Sequence, residues 1–137
     1  MNSNDLKAVV ARFNRDVIQE GNRQTFDALM ASEFVNWSAP SEALRGAETM
    51  WKTFASVLRP AIGDMQVHIH EQLCDGDKVT TRKTISGKHV GPLAGVEATG
   101  KDIAIDVIDI VRIRDGRYFE HWGVNTLAAV VAHLRQE

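Results

Sequence analysis

The chain has 137 residues, of which 44% are hydrophobic and 25% are charged, and its formal net charge at pH 7 is −2. This balance is typical of a globular protein, and we predict a single domain over residues 1–137. Charges of both signs are spread along the chain without a basic stripe, which argues against a nucleic-acid partner. The sequence contains no apolar run of the roughly 20 residues that a membrane-spanning helix needs, and its polar first residues predict no signal peptide.

Residues that usually carry metal or redox chemistry are few. The only cysteine, Cys74, has no partner for an internal disulfide, so a reducing, cytoplasmic location is the simplest expectation. His68 and His70 project from one face of a predicted strand, but no acidic third ligand accompanies them. We therefore predict no metal and no other cofactor.

The first half of the chain carries helical patterns. A first helix is predicted to end at Gly21, and a short second helix runs from about Arg23 to Met30. Residues 34–39 are predicted to be extended. A third helix begins at Gly46 and is predicted to end at Pro60, because proline lacks the amide hydrogen that a helix interior needs.

The second half changes to the alternation of β-strands. Strands are predicted for residues 65–73, 78–86, 101–114 and 117–124, with tight turns at Asp75-Gly76-Asp77 and Asp115-Gly116. A last helix carries the apolar stripe Leu127, Val130, Val131 and Leu134. Helices followed by an antiparallel meander indicate an α+β fold. A long, twisted antiparallel sheet curls, and helices over its concave face would enclose an apolar pocket.

Two stretches of the second half carry recognisable motifs. One runs from Gly87 to Lys101 with the sequence GKHVGPLAGVEATGK, and the other runs from Val111 to Arg117 and continues to Glu120-His121-Trp122. Both resemble motifs of the SnoaL-like polyketide cyclases, a family with the cone-shaped nuclear-transport-factor-2-like fold. The resemblance implies a cystatin-like α+β barrel, with a curved antiparallel sheet, covering N-terminal helices and a C-terminal helix.

The same resemblance implies a chemistry. A small apolar carbonyl compound would bind in the pocket and undergo aldol-type cyclisation or isomerisation by proton transfer, without a cofactor. The cyclases use an aspartate just before the last helix as acid and base, but here that position is Asn125, whose amide cannot abstract a proton. Asn125 could donate to a substrate oxygen or cap the last helix. A non-catalytic ligand-binding domain is the alternative.

The segment from Asp106 to Arg112 also resembles a strand of the ketosteroid isomerases. In those enzymes a protonated aspartate donates a hydrogen bond to the developing oxyanion, and the resemblance assigns this role to Asp109. The isomerase tyrosine and general base fall on Phe13 and Ser38, which lack the required groups. We predict that both of these residues contact the ligand, together with Trp37 and with His89 at the pocket mouth.

The residues themselves also single out Asp109 and His121. Asp109 is in phase with four apolar residues of its strand, and a carboxylate in such a row is costly unless it is paired, neutral or functional. His121 shares a predicted strand face with Phe119 and Gly123, and a neutral imidazole can take or give a proton near pH 7. We predict both as catalytic residues. A buried ion pair for Asp109 and a core histidine for His121 are the alternatives.

Arg82 lies in a polar row of its strand, with Thr80, Thr84 and Ser86. Epoxide hydrolases of this fold use an Arg-x-Asp pair on such a strand, whereas the sequence here reads Arg82-Lys83-Thr84 and lacks the carboxylate. Epoxide hydrolysis is therefore a less favoured function. Arg82 is predicted to contact the ligand, or else to pair with Asp109 and keep that acid ionised.

The other face of the predicted sheet mixes apolar and charged residues. Asp106, Ile108, Ile110 and Arg112 alternate on it, and Trp122 is predicted to pack away from the pocket. Because exposed apolar residues need cover, we predict a homodimer formed through this face.

Overall fold

A computed structural model describes residues 1–136. Helices occupy most of the first half: α1 (Ser3–Arg12) with a π-helical continuation (Phe13–Gln19), α2 (Arg23–Leu29), a short 3₁₀ turn (Glu42–Leu44), α3 (Ala47–Lys52) with a π-helical continuation (Thr53–Leu58), and α4 (Arg59–Ala61). The strands are β1 (Met30–Asn36), β2 (Ile62–Asp75), β3 (Lys78–His89), β4 (Asp102–Arg114) and β5 (Arg117–Asn125), and α5 (Leu127–Leu134) follows them. The α+β prediction and the C-terminal helix are confirmed.

The five strands form one sheet in the order β1-β5-β4-β3-β2. Strands β2 to β5 are the predicted antiparallel meander, joined by the two predicted hairpin turns. Strand β1 lies parallel to β5, so the complete sheet is mixed, with the predicted antiparallel meander as four of its five strands. Parallel neighbours need a long connection, and the helices and the meander between β1 and β5 supply it.

Two boundaries differ from the sequence prediction. Strand β1 begins at Met30, directly after α2, where the sequence predicted an extended segment only from residue 34. The third helical stretch continues through Pro60 to Ala61. Proline is tolerated there because it lies in the first turn of α4, where its missing amide hydrogen would have no partner in that helix.

A bulge in β5 sets which side chains face the helices. Arg112 pairs with Glu120 but Ile113 pairs with Tyr118, so Phe119 is an extra residue on β5. A bulge of one residue reverses the alternation beyond it. Tyr118 therefore faces the core together with His121, although the two are three residues apart, and the prediction that Phe119 shares the face of His121 is wrong.

The core lies between the helices and the concave face of the sheet. Phe13 is only 2% exposed and stacks on Tyr118 with 4.2 Å between ring centroids. Phe26 and Phe54 pack around the Phe13 ring, and their ring centroids lie 6.2 Å and 6.3 Å from its centroid. Within residues 1–136, no helix has the length and apolarity that crossing a membrane requires.

The position of Phe13 generates a first prediction. Phe13→Ala should lower the free energy of unfolding by about 3–5 kcal/mol, because the change leaves a cavity between α1 and the sheet. Urea denaturation followed by circular dichroism measures the loss. Phe119→Ala, which removes the same ring from a half-buried position, is the matched control and should cost less. Equal costs for the two variants would contradict the proposed role of Phe13 in the core.

Candidate active site

A cavity of about 450 Å³ lies between the concave face of the sheet and the helical stretch from α3 to α4. Most of its wall is apolar, with Phe54 and Leu58 on the helical side and Ile85, Ile105 and Val107 on the sheet. Its polar lining includes Asn36, Ser38, Lys83, Asp109, His121 and Asn125. An apolar cavity with a few convergent polar groups is the usual form of a small-molecule site.

Asp109 is the acid of this polar end. It lies on β4, opposite Gly123 of β5, and is 6% exposed. Its Oδ2 atom lies 3.3 Å from Nζ of Lys83 and 3.3 Å from Nε2 of His121. Its Oδ1 atom is buried and has no hydrogen-bond partner among residues 1–136. One carboxylate oxygen is therefore held by two donors, and the other accepts no hydrogen bond from these residues.

The neighbours of Asp109 decide its charge. Burial acts to raise the pKa of the Asp109 carboxyl, but the Lys83 ammonium and the His121 ring together outweigh burial, and the pKa lies below its ordinary value. Asp109 is therefore ionised near pH 7. This result corrects the role that the isomerase resemblance implies, because a carboxylate cannot donate a hydrogen bond to an oxyanion.

The partner of Asp109 is Lys83, and the prediction that Arg82 fills this role is wrong. Lys83 is 4% exposed, and its Nζ also lies 2.6 Å from Oδ1 of Asn14 in the π-helical part of the first helix. Arg82 points to the opposite face of β3, where it pairs with Glu71. Adjacent residues of a strand face opposite sides, so the arginine and the lysine cannot both reach the cavity.

The hydrogen bonds of His121 fix the orientation of its ring. The backbone N–H of Ser38 donates to Oδ1 of Asn36 over 3.1 Å, which fixes that amide oxygen as an acceptor. The same oxygen lies 2.8 Å from Nδ1 of His121, and the Asp109 carboxylate faces Nε2. Both ring nitrogens therefore face oxygen atoms, which hold the imidazole in one orientation against Asp109.

Gly123 lets His121 and Asp109 approach each other. A Cβ atom at this position would lie 3.1 Å from Cε1 of His121 and 3.2 Å from Cβ of Asp109. Both distances are tighter than ordinary van der Waals contact, so a side chain here would push the pair apart. A glycine inside a strand often marks such an approach.

Two other predicted ligand contacts lie at the cavity. Ser38 lines it, and its hydroxyl bonds to the backbone of Gly123, accepting from N–H over 2.6 Å and donating to C=O over 3.2 Å. Asn125 lines it as well. Its Oδ1 accepts the backbone N–H of Leu127, the first residue of α5, over 2.9 Å. Its side chain thus contacts the start of the helix, although the N-cap residue is Thr126 and not Asn125.

Four other predicted contacts lie outside the cavity wall. Phe13 is part of the core, and Arg82 lies on the outer face of the sheet. Trp37 is 43% exposed, and its Nε1 donates to Glu120 over 2.7 Å. His89 is fully buried rather than at a pocket mouth, and its Nδ1 accepts the backbone N–H of Thr99 over 3.2 Å. The prediction that these four contact the ligand is corrected, because Phe13 and His89 are buried in the packing and Arg82 and Trp37 bond to glutamates outside the cavity.

Lys83 and Asn14 are the residues that sequence reasoning missed. Lys83 lies in phase with Val79, Thr81 and Ile85, which are all buried. A lysine in such a row is the same signal that pointed to Asp109 on the next strand. Asn14 gave no comparable signal, because its position in a helix is common for a surface residue. Among residues 1–136 no group of three or more His, Cys, Asp or Glu side chains is arranged to hold a metal ion.

A curved sheet that closes with helices over an apolar cavity defines the nuclear-transport-factor-2-like class of α+β proteins. Within this class, the model of the SnoaL-like polyketide cyclases matches residues 8–134, and the chain belongs to that family. No match was found among the curated proteins.

Solved structures share this fold. TsrD from Streptomyces laurentii is 25% identical, with a TM-score of 0.84 and 98% of each chain covered. A protein of Acidithiobacillus ferrooxidans, provisionally assigned as a polyketide cyclase, is 24% identical, with a TM-score of 0.84 over 99% of this chain and 98% of the other. An epoxide hydrolase of the LEH-like type from M. tuberculosis is 18% identical, with a TM-score of 0.70 over 96% of this chain and 90% of the other.

The buried ion pair generates a second prediction. Asp109→Asn should lower the free energy of unfolding by about 3–5 kcal/mol at pH 7, because the Lys83 ammonium loses its anionic partner. The folded-state pKa of Asp109 is lowered, so this stabilisation is present above about pH 4 and is lost as the pH falls through the folded-state value. Urea denaturation at pH 7 and at pH 3 should therefore show a smaller difference at pH 3.

A double variant is the control for this prediction. Lys83→Met in the Asp109→Asn background removes both charges, and it should recover much of the lost stability because no buried ion is left unmatched. A single Asp109→Asn variant as stable as the wild type at pH 7 would show that the pair is not an ion pair.

Proposed function

We propose that the protein binds a small, largely apolar carbonyl compound in the cavity and moves a proton next to the carbonyl, without a cofactor. Aldol-type cyclisation and isomerisation are the reactions that fit. The observation that carries the proposal is the Asp109 carboxylate, ionised in an apolar cavity, with Oδ2 held by Lys83 and His121 and Oδ1 free of hydrogen bonds from residues 1–136.

In this proposal Asp109 is the general base. Its free Oδ1 atom takes a proton from the carbon next to the carbonyl, and the electron pair of that C–H bond becomes part of an enolate. The negative charge then lies on the substrate oxygen instead of on Asp109. The cavity therefore holds the same total charge before and after the step, so its fixed dipoles and cations need little rearrangement.

The neighbouring polar groups hold this base in place. His121 donates to Oδ2 of Asp109, and Asn36 orients the imidazole through its other nitrogen. In this proposal His121 acts on the reaction by positioning the carboxylate. Ser38 and Asn125 lie at the cavity wall and would orient polar atoms of the substrate.

A non-catalytic ligand-binding domain is the second candidate. The amide of Asn125 at the position of the family's acid–base aspartate favours it. Epoxide hydrolysis is less favoured, because Thr84 replaces the required carboxylate and Arg82 points away from the cavity. The likeness to the M. tuberculosis epoxide hydrolase concerns the fold alone.

We also propose that residues 1–137 act as one functional domain.

The cellular location is a further proposal. Cys74 is a free thiol and is partly exposed, which agrees with a reducing, cytoplasmic location. A small apolar ligand is the partner that the cavity fits.

A proton-exchange experiment tests the proposed chemistry. 2-Tetralone, a compact ketone with acidic α-protons, should exchange these protons for deuterium in D₂O faster with the protein than in buffer. Asp109→Asn should lower that rate at least about 100-fold, since general bases contribute roughly this much. The exchange is followed by ¹H NMR at pD near 7.

Asp106→Asn is the matched control, because the same change is made on the same strand, on its exposed outer face. It should leave the exchange rate unchanged. Binding of 2-tetralone without accelerated exchange would contradict the catalytic proposal and support the ligand-binding alternative. The absence of binding would contradict both.

A homodimer through the outer face of the sheet is also proposed. This face exposes Leu73, Ile108 and Val124, which are 62%, 48% and 70% exposed. Trp122 lies half-buried among them with Nζ of Lys78 5.4 Å from its ring centroid, so it packs away from the cavity. Apolar side chains concentrated on one sheet face are typical of an interaction surface.

Light scattering after size-exclusion chromatography tests the dimer. The wild type should have twice the 15.2 kDa mass of one chain. Ile108→Glu should give monomers at micromolar concentration, because a charge in an apolar interface is costly to desolvate. Val90→Glu, at another exposed apolar position, is the control and should leave the dimer intact. A wild-type monomer would refute the proposed dimer.

A further inference from the structure

The Lys83 ammonium has one hydrogen-bond donor more than its protein partners use. An ammonium carries three N–H groups. Oδ1 of Asn14, 2.6 Å away, and Oδ2 of Asp109, 3.3 Å away, accept two of them. The Lys83 side chain lines the cavity, so the third N–H is the one left for a ligand.

His121, in contrast, has no ring nitrogen left for a ligand. Its Nδ1 faces Asn36 and its Nε2 faces Asp109. Lys83, Asp109 and His121 are the ionisable residues in the cavity lining of the described chain. The Lys83 ammonium is therefore the charged donor of this lining that an anionic oxygen of a ligand would meet.

Asn14 fixes the direction of the Lys83 side chain. The Asn14 side chain is buried, and its Nδ2 donates to the carbonyl of Val10 over 2.9 Å. That bond determines which end of the amide faces the lysine, so Oδ1 is presented to Nζ. Asn14 lies at the start of the π-helical segment, a feature that often occurs at functional sites.

We infer that Lys83 is a catalytic residue whose third N–H binds the enolate oxygen of the substrate, and that Asn14 is the residue that positions it. This inference rests on the proposed function. The α-proton goes to Asp109, the C–H electron pair forms the carbon–carbon double bond of the enolate, and the carbonyl π pair moves onto the oxygen that Lys83 binds. No electrons enter or leave, so the step needs no oxidant or reductant.

The contact between Lys83 and Asp109 suits the geometry of enolisation. The carbonyl oxygen and the α-carbon of a ketone are separated by two bonds, so the base and the oxyanion donor must lie side by side. Nζ and Oδ2 are 3.3 Å apart, which places the two groups next to each other at one end of the cavity. The oxyanion role that the isomerase resemblance implies for Asp109 thus passes to Lys83.

Substituted phenols test this inference, because a bound phenolate resembles an enolate in shape and charge. The probe is 4-nitrophenol, whose absorption spectrum reports the ratio of phenolate to phenol. For the probe bound to the wild type or to Asp109→Asn, this ratio should be about tenfold or more higher than for the free probe. The reason is that a nearby cation favours the anionic form by this amount. Lys83→Met in the Asp109→Asn background should abolish the increase.

The variants separate Lys83 from Asp109. Asp109→Asn keeps the lysine and removes the competing carboxylate, so a persistent increase there assigns the effect to Lys83. If that variant does not fold, the wild type and the charge-free double variant still give the comparison. An increase that survives in the double variant would overturn the inference. Asn14→Leu should weaken the increase, and Lys83→Arg should retain part of it.

Failure of this inference differs from failure of the proposed function. If 2-tetralone binds and exchanges its protons but the bound 4-nitrophenol shows no increase, only the role of Lys83 is wrong. If neither compound binds, the proposed cavity function is wrong. Reduction with cyanoborohydride in the presence of 2-tetralone should leave Lys83 unmodified, and an adduct on Lys83 in peptide mass spectra would replace the hydrogen-bonding role with covalent attachment.

Discussion

The buried contact between Lys83 and Asp109 is the interaction on which the cavity depends. Each charge is almost excluded from solvent, so neither would be tolerated without the other. The pair lies where β3 and β4 run side by side, and Asn14 and His121 supply the remaining hydrogen bonds. The Asp109 carboxylate stays ionised in an apolar cavity because the contacts with Lys83, Asn14 and His121 offset the free energy of burying the two charges.

Two irregularities of the backbone bring these four side chains together. The π-helical segment after α1 carries Asn14 over the sheet, and the bulge at Phe119 turns His121 toward the core. Gly123 then leaves room for the imidazole against Asp109.

Membership of the SnoaL-like family fits this architecture, but the proposed base, Asp109, does not occupy the position of the family's acid–base aspartate. The position of the family's aspartate holds Asn125, which supports the start of α5. A carboxylate is instead present on β4, deeper in the sheet. Relocation of the base onto a central strand would keep the same cavity and the same class of chemistry, with a lysine as the neighbouring cation.

Sequence patterns alone determined the α+β class, the hairpin turns and the last helix, and they singled out Asp109 and His121, which both line the cavity. Hydrophobic periodicity and turn residues are local signals, and a carboxylate in an apolar row is a local anomaly. Tertiary structure alone decided that β1 joins the sheet in parallel, that Lys83 rather than Arg82 meets Asp109, and that Phe13 and His89 belong to the packing. Each of these depends on register between distant segments, and a bulge or shift of one residue reverses which side chains face the cavity.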